Sequence, residues 1–135
     1  MNSTHQILDT PYGRCYTLYS MVDFKTEEFV VRLSADCRRR HKHTHFKGKV
    51  MSFSVQLELR HNNKWHPVVR YDTAHGFAHR DFIHPDGQTE KTSLFLQGYN
   101  EALIFAEEDL KNNWELYREK FLRPIGSLRE EVEND

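Results

Sequence analysis

Cysteine is scarce. The 135-residue chain holds two, Cys15 and Cys37, too few for a disulfide scaffold, and neither belongs to a Cys-x-x-Cys metal or redox pair. No apolar run approaches the roughly 18 residues that span a bilayer. Met1-Asn2-Ser3-Thr4-His5-Gln6 has neither the charged nor the apolar region of a signal peptide. These absences predict a cytoplasmic protein with free thiols and no membrane association. Net charge is nearly absent too, at -1 from 19 Lys+Arg and 20 Asp+Glu. Low-complexity tracts and internal repeats are missing. What is present is an apolar fraction of 38%, an aromatic fraction of 13% and nine histidines. The first two suffice for a packed core and exclude compositional disorder. The length fits one domain, residues 1–135, with its core at about 26–123. Protonating every histidine would carry the formal charge from -1 to +8.

Near-neutrality hides an uneven distribution. Arg38–Lys49 reads RRRHKHTHFKGK, with six Lys/Arg, three His and no acid. From Glu101 onward ten acids face five Lys/Arg. The basic stretch reads as a loop whose Arg38, Arg39, Arg40, Lys42, Lys47 and Lys49 could contact phosphates. Its alternating His41, His43 and His45 could capture a transition metal.

Periodicity sets the fold class. In Val50–Arg60, Met51, Phe53, Val55, Leu57 and Leu59 alternate with polar residues, the pattern of a half-buried strand. Asn62-Asn63 tolerates the positive φ of a tight hairpin. Trp65–Tyr71 resumes the alternation, with Trp65, Pro67, Val69 and Tyr71 on one face. Pro67 cannot donate to a ladder and predicts an edge or a bulge there. Glu28–Leu33, Phe77–His84 and Gln88–Thr92 read as further strands, the last two joined by a turn at Pro85-Asp86-Gly87. Tyr99, Leu103, Ala106, Leu110, Trp114, Tyr117 and Phe121 step by three or four residues as one helical stripe, stopped at Arg123-Pro124. The expected architecture is α+β: an antiparallel sheet of about four to five strands packed by one long C-terminal helix.

Chemistry concentrates in Arg70–His84. Arg70, Tyr71, Asp72, His75, His79, Arg80, Asp81 and His84 lie within fifteen positions, directly after a strand. Histidines near neutral pKa could serve as base and acid, and arginine could clamp a phosphate, as cleavage of RNA by its 2′-OH requires. The residues thus suggest a metal-independent ribonuclease needing no cofactor. As a metal site, His75, His79, His84 and Asp72 could supply the ligands, although the stretch lacks a His-Glu-x-x-His motif. Structural roles stand beside both: Asp72 and Thr73 fixing a turn, His75 bonding a carbonyl, Arg80 pairing with Asp81. A non-enzymatic protein-interaction domain is the other functional class.

The stretch VQLELRHNNKWHPVVRYDTAHGFAHRDFIHPDG, with the helix NEALIFAEEDLKNNWELYREKF after it, resembles a family of small prokaryotic domains of unknown function over residues of roughly 50–122. More distantly, Arg70-Tyr71-Asp72 followed by His75 resembles the TumE-type toxins of toxin–antitoxin pairs. Those toxins continue with Asn and paired His, where this chain has Thr73-Ala74-His75-Gly76. That resemblance implies a ribonuclease-like toxin with RNA as its target and a DNA-binding antitoxin as its partner, and leaves room for a homodimer.

Overall fold

The computed structural model describes residues 23–94 and 98–123. Six strands, β1 (Phe24–Arg32), β2 (Cys37–Phe46), β3 (Lys49–His61), β4 (Lys64–Asp72), β5 (His79–Ile83) and β6 (Thr89–Ser93), precede one helix, α1 (Tyr99–Leu122). The sheet is a meander in the order β1-β2-β3-β4-β5-β6, every neighbouring pair antiparallel. The α+β class is as expected, but the strand count of four to five is too low. The missing strand is β2, the basic segment that its composition presents as a loop. Charge hid its period of two: Arg38, Arg40 and Lys42 alternate with Arg39, His41 and His43, so polarity does not alternate along it even though the side chains do.

Turn chemistry fixes the meander. Asn62 and Asn63 both hold positive φ, 54° and 62°, between β3 and β4, the backbone that a two-residue hairpin of matching twist demands. Lys47 and Gly48, at 49° and 81°, do the same between β2 and β3. Between β5 and β6 the turn at Pro85-Asp86-Gly87 closes with Gly87 N–H donating to His84 O at 2.8 Å.

A bulge falls where Pro67 predicts one. The β3–β4 register shifts between Leu57, opposite Val69, and Glu58, opposite Pro67. Val68 is the extra residue, and both Val68 and Val69 are buried. The bulge also reverses the parity of β4. Val69 and Tyr71 face the helix, while Trp65 lies on the other side of the sheet under the Arg38 guanidinium, 3.9 Å from the ring centroid. Trp65 and Tyr71 therefore do not share a face, contrary to unbroken alternation.

The core lies between α1 and the centre of the sheet. Val55, Leu57 and Leu59 of β3, Val69 and Tyr71 of β4 and Phe82 of β5 pack with Ala102, Leu103, Ala106, Leu110 and Phe121 of the helix. Tyr99, Trp114 and Tyr117 complete the helical stripe from partly buried positions. Burying a leucine such as Leu57 or Leu110 contributes about 1.5–3 kcal/mol. Two polar ties orient the helix. Near its start, Asn100 accepts from Val50 N–H at 2.9 Å and donates to Gly48 O at 3.2 Å. Near its end, Arg118 donates to both oxygens of Asp36 in the β1–β2 connection, the shorter contact being 2.7 Å. No helix among the described residues is long and apolar enough to cross a membrane.

Candidate functional site

Cross-strand partners share a face, so the registers sort the charged residues. Arg39 stands opposite Leu57 and His41 opposite Val55, both on the helix side. Arg38, Arg40 and Lys42 project from the other side, called the open face because no described element packs across it, opposite Glu58, Gln56 and Ser54. The basic segment is therefore split by the sheet. Lys47 sits in the hairpin, 3.6 Å from Asp23, and Lys49 begins β3.

The open face is organised around one buried carboxylate. Glu58 is 6% exposed. It accepts from Arg38 Nε at 2.5 Å, from Arg40 Nε at 3.1 Å and from Gln56 Nε2 at 2.6 Å. Arg70 Nε in turn donates to Gln56 Oε1 at 2.7 Å. Burial alone would raise the Glu58 pKa, but these hydrogen bonds outweigh it and hold the carboxyl below its usual value. Two polar rows cross the strands beside this centre. One runs Arg40, Gln56, Arg70, Asp81, Lys91; the next runs Lys42, Ser54, Asp72, His79, Ser93. A cleft of about 420 Å³ opens at one end, lined by Lys42, Thr44, Ser52, Ser54, Asp72 and Thr73 among others.

The second row carries a histidine–carboxylate cluster. His79 is 2% exposed, with Nε2 at 3.1 Å from Asp72 Oδ1 and 3.8 Å from Asp81 Oδ2. Its Nδ1 lies 3.4 Å from the Phe77 carbonyl. Lys91 donates to Asp81 at 2.9 Å. Asp72 also accepts from Ala74 N–H at 3.1 Å, the turn role foreseen for it. The exposed His75 stacks on His79 with ring centroids 5.7 Å apart. The connection between β4 and β5 thus places one solvent-facing imidazole over one buried imidazole that a carboxylate holds in place.

Tyr71, Arg80 and His84 are not part of this cluster, because strand alternation carries them to the helix side. Tyr71 is fully buried and donates to Asp109 Oδ2. Tyr117 donates to the same oxygen at 2.6 Å and Asn113 to Oδ1 at 2.8 Å. Arg80 reaches the Tyr117 hydroxyl at 3.2 Å. Burial, reinforced by hydrogen bonding to the Asp109 carboxylate, pushes both phenols above the ordinary tyrosine pKa. This group fastens β4 and β5 to α1. Its organising residue, Asp109, escapes sequence reasoning because an acid in the first half of a helix already has a role against the helix dipole. His84 pairs with Glu90 at 2.5 Å, and Glu90 also meets Lys120 at 3.5 Å. The eight candidates therefore divide in two: Arg70, Asp72, His75, His79 and Asp81 at the open face, Tyr71, Arg80 and His84 behind it. Glu58 and Gln56 join the open-face site. Their polar alternation in β3 marked the face, but only the neighbouring strand supplies the arginines.

The same division separates His84 from Asp72, His75 and His79 as a ligand set. Among the described residues, the histidine–carboxylate group with ligand atoms near one another is Glu27, His43 and His45, on the helix side of β1 and β2. Beside it His41 is buried, and burial, with electrostatic repulsion from the His43 and Arg39 side chains, pushes its pKa down to about 4.

No curated protein and no solved structure matches the chain, so the resemblance to TumE-type toxins has no counterpart in either comparison. A family match begins at Phe24 and so includes β1 and β2, upstream of the stretch that carried the family resemblance. Spanning residues 24–126, that match shows that the chain belongs to the family of the domain of unknown function DUF7718.

Proposed function

We propose that the open face of the sheet binds RNA and that the β4–β5 connection acts on the bound phosphodiester. The observation that carries the reading is the presence of Arg40, Arg70 and, in the adjacent row, Lys42 on one face of the sheet that no described element covers, beside an exposed His75 stacked on the Asp72-bound His79. Arg40 and Arg70 each use Nε internally, on Glu58 and Gln56, and this leaves terminal guanidinium nitrogens to meet phosphate oxygens. Strands about 4.8 Å apart set these cations at a spacing that an extended single strand can follow. Trp65, stacked under Arg38 on the same face, adds an aromatic surface. In this reading His75 is the proton-transfer residue. His79 is too buried to touch a substrate and serves as a positioning residue, held by Asp72.

The test is fluorescence anisotropy with a labelled single-stranded RNA across a salt series. Three phosphate contacts predict a slope of log K against log salt of about -2. Arg40→Ala and Arg70→Ala should each flatten it by about 0.7. A cleavage assay on the same RNA, with His75→Ala as control, tests the chemical step. Absence of saturable, salt-sensitive binding refutes the reading. Binding without cleavage reduces it to an RNA-binding domain.

A further inference from the structure

We propose that Glu27, His43 and His45 form a divalent transition-metal site, with zinc as the natural occupant, on the opposite side of the sheet from the proposed RNA face. The three ligand atoms all lie within 4.8 Å of one another. His45 Nε2 is 3.2 Å from Glu27 Oε2, and His43 Nε2 is 4.0 Å from the same oxygen. Ligands of a tetrahedral zinc ion, bonded at about 2.0–2.1 Å, stand about 3.4 Å apart. One edge of the triangle is therefore already at coordination length, and small side-chain rotations close the others. The backbone supplies this arrangement. His43 and His45 are two apart on β2 and share a face, their rings 5.3 Å apart. Glu27 stands directly opposite His43 on β1.

His41 gives the site its orientation. Its Nε2 contacts His43 Nδ1 at 2.7 Å. Its Nδ1 is buried without a hydrogen bond, and the Glu107 carboxylate stands 3.3 Å away. One tautomer set fits the contact between the two imidazoles. His43 Nδ1–H donates to His41 Nε2, the proton of His41 then sits on Nδ1, 3.3 Å from Glu107 without a hydrogen bond, and the His43 Nε2 lone pair faces Glu27 and His45. Metal-bound histidines are commonly fixed in this way by a hydrogen bond at the other ring nitrogen. Stacking of Phe29 on His41, with centroids 4.4 Å apart, holds the relay in place. Lys25 lies opposite His45 in the register, so Glu27 is needed for charge as well as for coordination. Two histidines and one carboxylate leave a fourth position for water. Softer imidazole ligands favour zinc, nickel or copper over magnesium or calcium.

The experiment uses the full chain without a histidine tag. Titration with zinc chloride by calorimetry should give one site per chain. Cobalt(II) should give the intense visible bands of four-coordinate geometry, displaced by zinc. His43→Ala and His45→Ala should each weaken binding by at least tenfold. Glu27→Gln, at an exposed position of β1 that does not threaten folding, should weaken it severalfold. His41→Phe, which keeps all three ligands, should weaken binding about tenfold and alter the cobalt spectrum. His75→Ala should change nothing. The proposal is overturned if zinc does not bind stoichiometrically at 100 µM, or if Glu27→Gln and the histidine variants bind it as wild type does. It is equally overturned if binding is lost in His75→Ala, which would move the metal to the open face.

Discussion

Replacing Glu58 by glutamine tests whether a single carboxylate organises the open face. The side chain is 8% exposed and receives two guanidinium contacts, from Arg38 and Arg40. Hydrogen bonds to a charged group are each worth about 1.5–3 kcal/mol, and removing one partner of a fully buried ion pair costs about 3–5 kcal/mol. Here the arginine side chains are 22% and 45% exposed, so they can turn to water once released, which discounts the loss. A net cost of about 2–3 kcal/mol follows for Glu58→Gln at pH 7. At this chain length that corresponds to a fall in Tm of roughly 8–10 °C. The pH dependence supplies a second reading. The Glu58 carboxyl is held below its usual pKa in the folded protein. Its contribution is therefore complete above the unfolded value near 4.3 and fades as pH falls through the folded one. Thermal melts of wild type and Glu58→Gln between pH 7 and pH 3 should show a gap that narrows on the acid side. A variant within 1 °C of wild type at pH 7, or a gap unchanged at pH 3, would refute the reasoning. Because Arg38 and Arg40 are freed, RNA affinity should hold or rise in the same variant that loses stability.

Two further outcomes follow from buried groups. Tyr71→Phe removes one donor from Asp109 while Tyr117 and Asn113 remain, so it should cost about 1–2 kcal/mol; chemical denaturation measures this, and absorbance titration should show one late-ionising phenol fewer. Cys37 is fully buried, and burial, with the Asp36 charge, raises its thiol to about 11; iodoacetamide at pH 8 should leave the Cys37 peptide unmodified in native protein and label it after denaturation, as mass spectrometry would show.

What sequence could reveal depended on whether hydrophobicity followed geometry. In β3 it did, and the strand, the hairpin at Asn62-Asn63 and the helical stripe from Tyr99 to Phe121 all stand where periodicity placed them. In β2 it did not. Arg39 and His41 point toward the helix although they are polar, so the segment reads as a loop and its strand is not counted from sequence. Pro67 signalled the bulge, but not that the bulge would turn Trp65 away from Tyr71. The stretch from Arg70 to His84 stands out in the sequence by its density of titratable residues. Its division between two faces follows from strand alternation once β5 is placed. The groups that complete each half, Glu58 on β3 and Asp109 on α1, are distant in sequence and became visible only through pairing and packing.

The meander has a consequence for the order in which the molecule can assemble. Each strand pairs with its sequence neighbour, so the whole sheet can form by closing short loops, zipping from β1 to β6 before α1 docks. Until then the apolar side of the sheet, with Val55, Leu57, Val69 and Phe82, lacks the helix that packs on it. Arrival of Leu103, Ala106 and Leu110 ends the exposure. Docking of the helix is thus the step that converts a ribbon prone to aggregation into a closed domain.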